Sequence, residues 1–136
     1  MCFYKDVVNY DVFHKIAKED IVCYKVMTIS KISNDGAIWV KSLNYPKEEM
    51  RSYGSVMIPD IEPDLDWLDA GTFVLESGVI HSYTYLPKIV GLNEHYVGKS
   101  VTVKCRIPKG TPYWTNHRDR VYASTKLILD GIVNNN

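Results

Sequence analysis

The sequence predicts an α+β fold, a single compact domain with one mostly antiparallel sheet and a few short helices. Three observations predict it. Runs rich in β-branched and aromatic residues recur at 20–32, 74–86, 101–108 and 121–133. Turn signals separate them, SNDG at 33–36 being the clearest. Helix-like spacing is confined to brief segments.

In chain order, residues 1–19 are polar and mixed. Within them Val12, Phe13, Ile16 and Ala17 are spaced like one helix face, which predicts one or two turns. DIVCYKVMTISKI follows, with both alternating sets largely apolar, as in an interior strand. Past the Asp-Gly turn, AIWVKSL reads as its hairpin partner. Pro46, with Glu48 and Glu49 behind it, predicts the start of a short helix in NYPKEEMRSYGS. The acidic stretch from Ile58 to Phe73 carries two prolines and reads as a long irregular loop with a short turn in it. VLESGVIHSYTYL returns to strand character, and Pro87 opens a further short helix toward Gly98. VTVKCRIP is the clearest strand, ended by Pro108, with PKGTPYW as a turn. VYASTKLILDGIV is a last strand, and residues 132–136 are a frayed tail.

Composition bounds the function. The chain has 136 residues, enough for one domain spanning 1–136 and its own core. Sixteen basic residues balance sixteen acidic ones, so no global field attracts nucleic acid, although a local patch remains compatible. No apolar stretch reaches the roughly 18 residues of a membrane helix. The first sixteen residues carry charges and no apolar signal core, so we expect a cytoplasmic protein of a bacterium or a phage-infected cell. Cys2, Cys23 and Cys105 are widely spaced and form no metal motif, so we expect reduced thiols, two of them buried in strands. The histidines make no paired metal motif, and we expect no metal and no cofactor. His14 and His117 read as surface residues, and the acids from Asp60 to Asp69 as a solvated loop.

Two places carry polar chemistry. Gly78 precedes a strand with His81, Ser82 and Tyr83, three hydrogen-bonding side chains on two faces. Lys104 and Arg106 share a face of the 101–108 strand, near Tyr113 and Trp114, and suit a phosphate-bearing or stacked ligand.

The segments KEDIVCYKV, GVIHSYTYL and VTVKCRIPKGTPYW…VYASTKLIL resemble a group of small proteins from Bacteroides-type bacteria and their phages. More distantly their order is similar to minimal ADP-ribosyltransferase-like folds. That resemblance implies a first strand with Tyr-Arg-Gly or Tyr-His-Gly, a middle strand with Gly-x-His-Ser or Gly-x-Phe-Ser, and a late Pro-Lys-Gly strand and turn followed by a strand with the catalytic glutamate. Here Tyr24-Lys25-Val26 stands at the first motif, and VYASTKLIL holds no glutamate. The resemblance therefore implies a cleft bearing Tyr24, Lys25, His81, Ser82 and Tyr83 that has lost transfer chemistry.

The expected function is a non-catalytic binding module for a host protein or a nucleotide-like small molecule. A degenerate transferase acting on NAD or nucleic acid, or a virion component, are the alternatives. Strand alternation restricts the cleft. Tyr24 opposes Lys25, and His81 with Tyr83 opposes Ser82, so Tyr24, His81 and Tyr83 are the set expected together.

Overall fold

A computed structural model describes residues 13–42, 48–59, 62, 64–69, 79–87, 96–116, 118 and 120–133. Its strands are β1 (Lys15–Ile16), β2 (Ile21–Ile32), β3 (Ile38–Ser42), β4 (Met50–Arg51), β5 (Tyr53–Met57), β6 (Ile80–Tyr83), β7 (Ser100–Ile107), β8 (Pro112–Asn116), β9 (Val121–Ser124) and β10 (Leu127–Ile132). One five-residue helix, α1 (Leu65–Asp69), stands between β5 and β6.

This corrects the α+β expectation. Among the described residues the fold is an antiparallel β-sheet, and α1 is its only helix. The helix-like spacing at Val12–Ala17 yields instead to pairing of Lys15 with Tyr113 and Ile16 with Pro112. A short segment gains more from an edge ladder and from burying Ala17 than from one isolated turn. Met50 and Arg51, placed in the predicted helix after Pro46, form a strand against β3. The helix predicted after Pro87 and the start of the one at Pro46 fall mainly outside the described residues, as do His95, His117 and Cys2. PKGTPYW holds a turn followed by β8, a strand that the expectation missed. The predicted last strand is two strands, broken at Thr125 and Lys126. Upstream of the break β9 joins β6 and β8, and downstream β10 joins β7 and β5, so the two halves belong to different partners.

The pairing divides the sheet into a barrel and a flange. Ladders run β4-β3-β2-β7-β10-β5, and only Ser52 separates β4 from β5 in sequence. A ladder whose two ends are adjacent in the chain must curl until they meet, so these six strands form a barrel. The flange leaves the same edge of β2 that holds β3. There Tyr24 pairs with Tyr83 of β6, and the order continues β6-β9-β8-β1.

β2 belongs to both parts because it is long and alternates. Cys23, Lys25, Met27 and Ile29 are buried on its inner face, while the intervening residues are half-buried or exposed. The main core gathers Cys23, Met27 and Ile29 with Val40, Met57, Val101, Val103, Cys105, Ile107, Leu127 and Leu129, and Ala17 and Ile80 join it from the flange side. The Asp-Gly turn closes the β2–β3 hairpin as expected. Gly36 adopts φ +85° and its N–H donates to Ser33 O at 2.9 Å, a backbone state that favours glycine. No helix of the described residues is long and apolar enough to cross a membrane.

Candidate functional site

Antiparallel register decides which side chains meet, because residues opposite one another share a face. On the outer face, Lys104 of β7 lies opposite Tyr24 of β2, and Tyr24 lies opposite Tyr83 of β6. The row continues through Val121 to Asn116. The neighbouring row runs Thr102, Val26, His81, Ala123 and Trp114. Of the expected residues, Tyr24, His81, Tyr83, Lys104 and Arg106 thus share the outer face. Lys25 and Ser82 occupy the inner one.

At the end of the first row the ring of Tyr83 lies 5.5 Å from that of Tyr85, tilted by 59°. The Arg120 guanidinium covers the Tyr85 ring at 4.1 Å. Arg120 holds a left-handed backbone, φ 53°, and its carbonyl accepts the Thr84 N–H at 2.9 Å, which fixes the loop to β6. The result is a line of three tyrosines with a cation at each end, Lys104 and Arg120, both exposed. Tyr85 was not singled out in the sequence, and Arg120 stood there only as one of a cluster of basic residues with Lys104 and Arg106. Their alignment depends on the turn between β8 and β9 folding back over β6, which no local pattern announces.

Two expected members are otherwise engaged. Arg106 ion-pairs with Asp20 at 3.0 Å and with Asp130 at 3.3 Å, tying together the ends of β2, β7 and β10. His81 is half-buried and its Nε2 is out of reach of solvent. Burial, and then the Lys25 charge, push its pKa down to about 3, so the ring is neutral and contributes shape and hydrogen bonding but no charge. In the same row, beyond Val26, Thr102 is 4% exposed and its hydroxyl has no hydrogen-bond partner among the described residues, a polar group that sequence reasoning passed over.

The inner face holds a different polar cluster. Lys25 is 9% exposed, and its ammonium donates to the His81 carbonyl at 2.8 Å. Burial pushes its pKa down to about 8. Cys23 and Cys105 lie directly opposite each other, fully buried and not joined in a disulfide. Burial pushes the Cys23 thiol up to about 11 and the Cys105 thiol up as well, so both are inert at neutral pH.

His14 and Asp69 overturn the surface reading given to each. Asp69 Oδ1 accepts the Trp114 Nε1–H and the His14 backbone N–H, both at 2.9 Å. Its Oδ2 lies 2.8 Å from His14 Nδ1. Burial opposes ionisation of this carboxyl, but the hydrogen bonds from His14 and Trp114 outweigh it and hold its pKa below the usual value. The His14 ring stands edge-on to Trp114 at 5.8 Å. This clamp fastens α1 and the chain before β1 onto β8. No sequence signal links residues 55 positions apart.

No group of three or more potential metal ligands occurs among the described residues. An open groove of about 710 Å³, lined by Lys15, Ile16, Lys18, Glu19, Ile21 and Tyr113, contains none of the expected site residues. No protein-family model, no curated protein and no solved structure matches the chain, so the site stands on its own geometry.

Proposed function

We propose that the protein is a non-catalytic binding module for a nucleotide-like ligand, held on the outer face of β6, β2 and β7. The observation that carries this reading is the row Lys104–Tyr24–Tyr83, extended by Tyr85 and Arg120. Tyrosine rings offer flat faces to a base, and cations at the two ends suit phosphate. Binding is favoured over transfer chemistry by the direction of Lys25. This residue stands where the resemblance to ADP-ribosyltransferase-like folds would put a cofactor-gripping arginine, yet it points into the barrel.

Calorimetric titration with ADP-ribose, NAD and a mononucleotide tests the reading. Tyr24→Ala should weaken binding roughly tenfold or more, the scale of one lost stacking contact. Lys104→Glu should weaken it and flatten its salt dependence. Lys18→Glu, an equal charge change elsewhere, should leave it unaltered. Absence of binding by all three ligands, or a Tyr24→Ala variant that binds as well as the parent, would sink the proposal.

A further inference from the structure

The outer face of β2 does not end at Tyr24. Seven positions further along, past a register shift between Ile29 and Lys31 that returns the side chain to this face, Lys31 lies opposite Trp39 of β3, and Trp39 lies opposite Arg51 of β4. The Lys31 ammonium stands 4.2 Å above the Trp39 ring and the Arg51 guanidinium 5.5 Å from it. Lys41, exposed, is opposite Thr28 between the two clusters. On the other edge of β2 the turn at 96–99 is fixed at Ile29, whose carbonyl accepts the Gly98 N–H at 2.8 Å and whose N–H donates to Lys99 O at 2.9 Å. That turn adds Tyr96, 60% exposed, with the Lys99 ammonium 5.9 Å from its ring.

Three acids near this surface are committed, while Glu48 and Glu49, exposed just before β4, flank its Lys41 end. Asp20 and Asp130 are taken by Arg106, and Asp35 by Arg51 at 3.5 Å. Lys31, Lys41 and Lys104 have no ion-pair partner among the described residues. Along β2 the strip therefore offers Lys104, Lys41 and Lys31 as open cations, with Glu48 and Glu49 at its β4 margin. At strand rise the two clusters are about 23 Å apart, too far for one nucleotide and suited to several.

We propose that the ligand of the outer face is a single-stranded nucleic acid lying along β2. One part stacks on Tyr24, Tyr83 and Tyr85, and its phosphates continue past Lys41 to Lys31. The proposal rests on the stacking site described above and extends it. A single strand fits because the first cluster offers ring faces to bases, which a duplex keeps within its stack.

The test is fluorescence anisotropy of the full chain with labelled single-stranded DNA and RNA of about 2 to about 12 nucleotides, beside calorimetry with a mononucleotide. Affinity should climb with length and level off at roughly 4 to 8 nucleotides. Lys31→Glu and, separately, Lys41→Glu should each weaken the longest oligomer about tenfold at low salt and leave the mononucleotide unaffected. The Lys41 variant guards against a folding defect at Trp39. Either sugar satisfies the proposal, and the ratio of affinities says which is preferred. Affinity independent of length, or unmoved by both variants, overturns the extended site while mononucleotide binding keeps the stacking site. A duplex of equal length that binds as tightly overturns the single-stranded assignment. Loss of mononucleotide binding as well removes the stacking site itself.

Discussion

The barrel and the flange share one sheet but hold their charged groups in opposite ways. The barrel core is aliphatic and sulfur-bearing, with Met27, Ile29, Val40, Met57, Ile107, Leu127 and Leu129 drawn from several strands. Lys25, its one buried charge among the described residues, donates to the His81 carbonyl. The flange's outer core is small, with Val79, Trp114, Val121 and Ala123 supported by Leu65 and Tyr83. Its polar group, Asp69, is satisfied on both oxygens. The barrel therefore distributes its stability and tolerates a misfit. The flange concentrates its stability in one indole and one carboxylate.

The largest test of that contrast is Trp114→Ala. Removing a fully buried indole should cost about 4 kcal/mol. The loss should be local, with amide exchange speeding up in β8 and β9 while β2, β7 and β10 keep their protection. Equal loss of protection in all five strands would show that the two cores are one cooperative unit.

Lys25→Met probes the barrel's misfit and should stabilise the protein by about 2 kcal/mol at neutral pH. Removing the burial penalty outweighs the lost bond to His81. Lys25 is charged in both states below about pH 8, its folded pKa. It is neutral in both states above about 10.4, its unfolded value. Between these limits the unfolded chain binds more protons, so the parent gains stability as pH rises and the gap to the variant closes. The two buried thiols titrate in both proteins and cancel in the comparison. Denaturant melts across this pH window check it, and a constant gap would mean that Lys25 is not paying a burial cost.

The smallest effect is expected for Asp69→Asn. An amide oxygen can still accept from Trp114 but the second acceptor is gone, which should cost about 1 kcal/mol near neutrality. Because the Asp69 pKa is depressed, its contribution is complete above the unfolded value near 3.9 and fades as pH falls through the folded one. Parent and variant should converge in acid melts. A gap that stays constant there would mean that the clamp draws nothing from the ionised carboxylate.

The strands with long alternating patterns were legible in the sequence. Cys23 to Ile29, Val101 to Ile107 and the Asp-Gly hairpin each carry their periodicity within a few residues. The shared face of Tyr24, His81 and Tyr83 followed from alternation once β6 paired with β2 in register. The short strands β1, β4, β5 and β8 were not legible. Two to five residues hold too little pattern to outweigh a nearby proline or a helix-like spacing, and their pairing energy comes from a neighbour distant in sequence.

By itself, then, the sequence determined where long strands run and that Cys23 and Cys105 belong to a core, while the structure chose which face of β2 is buried. The first two are consequences of side-chain alternation and of hydrophobicity, both local properties. The tertiary structure alone decided the closing of six strands around Lys25, the loss of Arg106 to Asp20 and Asp130, the clamp of Asp69 on His14 and Trp114, and the placing of Arg120 over Tyr85. Each of these joins residues whose separation along the chain carries no signal, and each exists because strand register brings them within reach.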